Sequence, residues 1–287
     1  MEILNYAFMQ RAIIAVILVG LLCSTLSFFV VLKNLSFMGA GISHAMLGGI
    51  AIGVLAGINP LYTGAIFAVL MAVTIGYISR NGYIKEDTLI GVFFPTGMAL
   101  GITLISFKEG YYPELFSLLF GNVLAVSVED LWFLAVIMVL VLLFFTVFFK
   151  ELLTICFDEE LARANGLPVT FLHIGLLVSL ALSVVVSVRV VGVVLAAALL
   201  VIPAATGQRL SANYRGMLFL ALVIGLSSGL TGLMFSYAWD VPSGASIVLC
   251  AAAIFFAALI FKYILEFKGI TFLNKHKGAK IGEGKNK

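Results

Sequence analysis

The chain has 287 residues, of which 62% are hydrophobic and only 11% charged, and its net charge is +3; soluble domains run near about 45–50% apolar and about 25% charged. No water-soluble fold hides that much apolar surface, so a soluble enzyme or binding domain is excluded and the bilayer is the expected solvent. The small positive charge gathers in the C-terminal lysines, which suits a lipid surface rather than nucleic acid.

A helix crosses the hydrocarbon layer in about 20 mostly apolar residues. Nine such spans are predicted, at 12–32, 37–58, 60–79, 88–107, 131–149, 170–188, 190–207, 217–238 and 243–264. The first is too long for the core of a cleavable signal, and residues 1–10 hold Glu2 but no basic residue, so it reads as a permanent anchor. The shorter run 115–127 follows Pro113, contains Gly121 and Asn122, and reads as re-entrant or interfacial. Residues 1–268 are thus expected to form one all-α, polytopic bundle of eight to nine spans, with a basic, disordered cytoplasmic tail at 269–287. Cys23, Cys156 and Cys250 lie far apart and form no Cys-x-x-Cys pair, so they read as apolar fillers.

Orientation follows from the basic residues. With the N-terminus outside, only Arg11, Lys108 and Arg189 of the 17 Lys and Arg residues fall on the outer side. If 115–127 crosses, Arg189 is joined outside by Lys33, Arg80 and Lys85, so charge alone orients the C-terminal half better than the N-terminal half. Small residues recur four apart, at Gly49, Gly53 and Gly57, at Gly97 and Gly101, and at Gly225 and Gly229. That spacing lets helix backbones approach, either as static packing or as a moving seam.

In the second span His44 lies about seven residues from the inner end, where an ionisable group needs a cavity or a partner. It reads either as an interhelical hydrogen-bonding group or as a ligand for a transition metal in transit. Glu86 and Asp87 open the fourth span, where negative charge suits a helix N-terminus. The only sizeable internal loop is 150–168, in which Asp158 can cap a short helix at 159–165, Gly166 can end it and Pro168 prevents its continuation. Arg189 and Asp240 fall on the outer side, where they either engage a cation or cap helix ends. No internal inverted repeat and essentially no carboxylate inside a span is seen, which counts against a secondary transporter. No His-Glu-x-x-His motif occurs, which counts against an intramembrane protease.

Five phrases in order resemble the metal-type permease subunits of prokaryotic ABC importers. They are Leu35-Ser-Phe-Met-Gly with Ser43-His44-Ala, Leu119-Phe-Gly-Asn-Val-Leu-Ala-Val-Ser, Glu160-Leu-Ala-Arg-Ala-Asn-Gly, Ala198-Leu-Leu-Val-Ile-Pro-Ala-Ala and Pro242-Ser-Gly-Ala-Ser-Ile-Val. The resemblance covers about residues 10–265 and implies a permease of the metal/cobalamin type in a prokaryotic plasma membrane. It implies a homodimer, two cytoplasmic ABC ATPase subunits and an extracellular or periplasmic metal-binding protein. The cargo would be a divalent ion, zinc or manganese first and iron next, with a metal chelate as the alternative, and no permanently bound cofactor. In this frame His44 is a residue of the ion path and Asp240 a residue of its outer mouth. Glu159, Glu160, Ala162, Arg163, Asn165 and Gly166 form the contact with the ATPase. ATP hydrolysis is expected in another chain, since Gly284-Lys285 has Ala279 and Asn286 where a phosphate loop needs Gly and Ser or Thr. One departure stands out: many members carry an aspartate four residues before the histidine, and here that position is Ala40.

Overall fold

The computed structural model describes residues 6–82, 84–107 and 123–283, with side chains not described at 81, 124 and 265–283. Twelve α-helices are found among these residues: α1 Ala7–Leu32, α2 Met38–Ala56, α3 Pro60–Asn81, α4 Glu86–Ser106, α5 Val128–Val147, α6 Phe149–Phe157, α7 Glu159–Ala164, α8 Val169–Val191, α9 Val193–Leu199, α10 Ile202–Leu210, α11 Tyr214–Trp239 and α12 Ser243–Glu283. Nine candidate membrane spans result, with α9 and α10 making up one and Ser243–Ile264 of α12 the last. Backbone polarity explains why helices are the answer: each N–H and C=O in hydrocarbon must be satisfied within its own segment.

Local signals place the ends. Asn59 accepts a hydrogen bond from Leu61 N at 3.0 Å and Pro60 opens α3. Ser127 and Asp130 form a reciprocal capping box at the start of α5. Gly192, at φ 86 and ψ 165, is the single residue between α8 and α9, in a backbone region open essentially to glycine alone.

Two predicted segments are corrected. The seventh span is not continuous but breaks at Leu200 and Val201, because Pro203 sits in the first turn of α10 and cannot donate to a continuing helix. The loop 150–168 is largely helical, since α6 buries Leu152 and Ile155 before α7 begins. The candidate re-entrant run 115–127 lies outside the described residues up to 122; its end forms a short 3-10 turn, Val123–Ala125, with Val123 fully buried.

Ion pairs locate the two faces. Lys33 and Arg80, at the ends of α1 and α3, meet Glu159, and Glu86 at the start of α4 meets His173 near the start of α8. About 24 Å further along, at the other end of α8, Arg189 meets Asp130 at the start of α5. The chain therefore leaves α4 and enters α5 on the same face. Alternation with the N-terminus outside holds through all nine spans, and the charge tally that leaves three basic residues outside is the one that applies.

The centre of the bundle is formed by α1, α2 and α8, which are 67%, 67% and 72% buried along their spans, while α5 is only 17% buried. The glycine stripes sit at the tightest contacts: Gly49 and Gly53 against Thr63 and its neighbours on α3, Gly97 and Gly101 against Ala45 and Leu47 on α2, and Gly225 and Gly229 against Ser24 and Val16 on α1. A Cβ on Gly97 would stand 2.7 Å from the Ala45 Cα, which is backbone and cannot swing away. Gly91 on the same helix has nothing within 4 Å of its Cβ position. Gly97→Val is accordingly expected to cost about 1–3 kcal/mol and to lower the melting temperature of the purified protein. Gly91→Ala is expected to leave it unchanged or slightly raised.

Candidate functional site

Three groups of polar side chains stand out, one at mid-depth, one at the outer face and one at the inner face. At mid-depth His44 is half-buried on α2. Its Nδ1 lies 2.8 Å from the Ala40 carbonyl, which can only accept, so Nδ1 carries the proton and Nε2 keeps a free lone pair. The ring packs edge-on to Phe94 of α4 at 4.9 Å. The backbone carbonyl of residue 40 thus orients the imidazole although the side chain there is only a methyl group. Among the described residues no three His, Cys, Asp or Glu side chains come together, at His44 or elsewhere.

At the outer face the two residues expected at the mouth behave differently. Arg189 Nε pairs with Asp130 Oδ1 at 2.5 Å and so ties α8 to α5. Asp240 is exposed at the end of α11, in the left-handed conformation at φ 52. Asp130 escaped the sequence reading; the signal was the Ser-x-x-Asp pattern at 127–130, which placed an acid on the same face as Arg189.

At the inner face α7 is capped by Asp158, whose side chain accepts from Leu161 N at 2.9 Å, and ends with Asn165 and Gly166, the latter at φ 74. The helix is one residue shorter than predicted. Its residues divide into two sets. Ala162 is fully buried, while Leu161 is 53% exposed and Glu160, Ala164 and Asn165 face out. Glu159 turns back into the protein: its Oε2 takes Lys33 Nζ at 3.0 Å, and its Oε1 takes Arg80 Nη2 and Arg163 Nη2, each at 3.0 Å. Burial acts to raise this carboxyl, but Lys33, Arg163 and Arg80 outweigh it and hold it down at about 2. One carboxylate therefore fastens α7 to the ends of α1 and α3. Beside it opens a cleft of about 730 Å³, lined by Arg80, Arg163, Leu167, Pro168, Val169 and Thr170 among others.

A further inner pair was not anticipated. His173, near the start of α8, is 98% buried and sits 3.3 Å from Glu86. Glu86 lies in the first turn of α4, as the helix dipole favours, but its carboxylate also engages another helix. The chain has only three histidines, and one just inside the inner end of a span was the available signal.

Comparison with known proteins gives a consistent set of likenesses. The model of a family described as the ABC 3 transport family matches residues 5–262. The manganese transport system membrane protein MntC of Halalkalibacterium halodurans is 41% identical over 260 residues, covering 91% of this chain and 89% of the relative. A probable iron transport system membrane protein of Haemophilus influenzae is 40% identical, covering 92% of this chain and 97% of the relative. Among solved structures, PsaBC from Streptococcus pneumoniae in complex with Fab aligns with a TM-score of 0.78 at 38% identity, over 90% of this chain and 92% of that one. A metal-chelate type ABC transporter in an inward-facing conformation aligns with a TM-score of 0.70 at 16% identity, a likeness of fold alone.

Removing the Glu159 charge leaves the part-buried Lys33 and Arg80 without their counter-ion. Glu159→Gln is expected to cost about 1–2 kcal/mol and to speed hydrogen exchange of the α7 amides in the reconstituted protein. The contribution has a defined pH range: a carboxyl held at about 2 against an ordinary 4.5 stabilises fully above 4.5 and loses its effect as pH falls toward 2. Exchange at α7, corrected for intrinsic rates, is therefore expected to be flat between pH 5 and 8.

Proposed function

The chain belongs to the ABC 3 transport family, and from that premise we propose that it is the membrane permease of an ATP-driven importer that carries a divalent transition-metal ion into a prokaryotic cell. Manganese is the first candidate and iron the second, on the names of the relatives; zinc follows. Two copies enclose the path, two cytoplasmic ATPase subunits drive it, and an external metal-binding protein delivers the ion.

The observation that carries this reading is the construction of α7. A six-residue helix is capped at both ends, presents Leu161 outward, and is anchored inward through Glu159 to two membrane-spanning helices. A soluble motor pressing on Leu161, with part of its surface seated in the adjoining 730 Å³ cleft, moves the inner ends of α1 and α3 together with α7. Because α3 packs on α2, the displacement reaches the helix that carries His44. Glu160, Arg163, Asn165 and Gly166 belong to the partner-facing side, whereas Glu159 and Ala162 transmit the push inward.

His44 Nε2 offers the passing ion one imidazole ligand. With Ala40 in place of a carboxylate the site binds weakly, and a transporter must release what it binds. Asp240, exposed at the outer end, adds one negative charge where the ion is handed over.

The test is metal uptake by proteoliposomes that hold this chain with its ATPase and binding protein. Uptake of manganese is expected with ATP and not without it. Leu161→Asp is expected to keep ATP hydrolysis while uptake falls by at least about fivefold, and His44→Ala to lower uptake while ATP hydrolysis is kept. Uptake of no free ion, but of a chelate, would replace this reading with the chelate one.

A further inference from the structure

The ion path has one imidazole at His44 and no carboxylate beside it, which raises the question of where a descending cation next finds a ligand. The face of α4 turned toward α2 gives an answer. Gly101 lies against Leu47, Gly97 against Ala45, Phe94 against His44, and Ile90 against Gly41. Continuing that stripe by one helical turn reaches Glu86. It lies eight residues from Phe94, which is about 12 Å further toward the inner face. There Glu86 meets His173 of α8, a helix that also packs on α2 and α3.

Glu86 and His173 face each other as an ion pair with a long contact. His173 is 98% buried, yet neither of its ring nitrogens has a hydrogen-bond partner, and Nε2 stands 3.3 Å from Glu86 Oε1. Charge-assisted N–H···O bonds close to about 2.7–2.9 Å. Two ligand atoms each about 2.0–2.2 Å from one ion, at angles between octahedral and tetrahedral, lie about 3.0–3.5 Å apart. Glu86 is 32% exposed, which leaves the site open to exchange on one side while His173 closes the other.

We propose that Glu86 and His173 form a second and transient divalent-cation site at the inner end of the path, a mixed imidazole and carboxylate site suited to manganese, iron or zinc. This rests on the importer reading above. The site supplies, two turns lower and from other helices, the carboxylate that is missing at residue 40. Few protein ligands and one open side make it a place where an ion pauses and leaves.

The experiment is a titration of the purified permease, with its ATPase, in lipid nanodiscs, using Co2+ as a spectroscopic probe and Mn2+ and Cd2+ as competitors. Wild type and His44→Ala are expected to show the ligand-field bands of a bound Co2+ ion. Glu86→Gln and His173→Gln are expected to weaken that binding by at least about tenfold. His173→Cys is expected to restore binding and shift preference from Mn2+ to Cd2+ by at least about tenfold, a change that loss of a purely structural contact does not produce. Unchanged Co2+ affinity in Glu86→Gln and His173→Gln, loss confined to His44→Ala, or no Cd2+ preference in a monodisperse His173→Cys protein would each overturn the site. ATP-driven uptake by the wild-type complex is scored separately: its absence refutes the importer reading, and the titration still decides whether the site exists.

Discussion

A charge inside hydrocarbon is so unfavourable that, among the described residues, the ion pairs lie at two levels near the ends of the spans. On the inner plane Lys33, Arg80 and Arg163 gather on Glu159, and Glu86 faces His173. On the outer plane Arg189 is matched by Asp130. These contacts join helices that are distant in sequence. The same constraint makes His44 conspicuous, since it lies between the planes with one nitrogen satisfied by its own helix and the other open.

Between the planes the bundle is held by shape. Lipid tails are as apolar as leucine, so burial of apolar side chains supplies little drive for helices to associate, and close packing takes over. This is why the glycines lie where α4 meets α2, α2 meets α3 and α11 meets α1. The helices that pack on most sides, α1, α2 and α8, also carry or adjoin the polar groups described above. The exposed flanks of α4, α5 and α12 remain apolar, as suits lipid or a second copy of the chain.

Much of this was legible beforehand, and the exceptions share a cause. Span positions follow from hydropathy, the ends of α7 from Asp158 and Gly166, and the face of the C-terminal loops from lysine and arginine counts. All of these are local properties. Pairings such as Glu86 with His173 and Asp130 with Arg189 join residues 87 and 59 positions apart, and nothing local says which acid a given base will meet. The break at Val201 was marked by Pro203, but a uniformly apolar stretch masks a kink, because hydropathy does not register a lost backbone hydrogen bond. The helix α6 was hidden for a related reason: its nine residues are too few to register as a span, so they were read as part of the loop 150–168.

The single glycine between α8 and α9 has a mechanical consequence. Together with the interruption at Val201 it leaves α9 as a rod of seven residues, about 10 Å long, jointed at both ends. Such a rod can pivot without breaking any of its internal hydrogen bonds, while the rods on either side stay straight. Its upper joint is one residue long, so any turn of α9 against α8 falls on Gly192 alone. An extra residue inserted beside Gly192 would act as backlash in the linkage, separating the motions of two helices that now turn on a common pin.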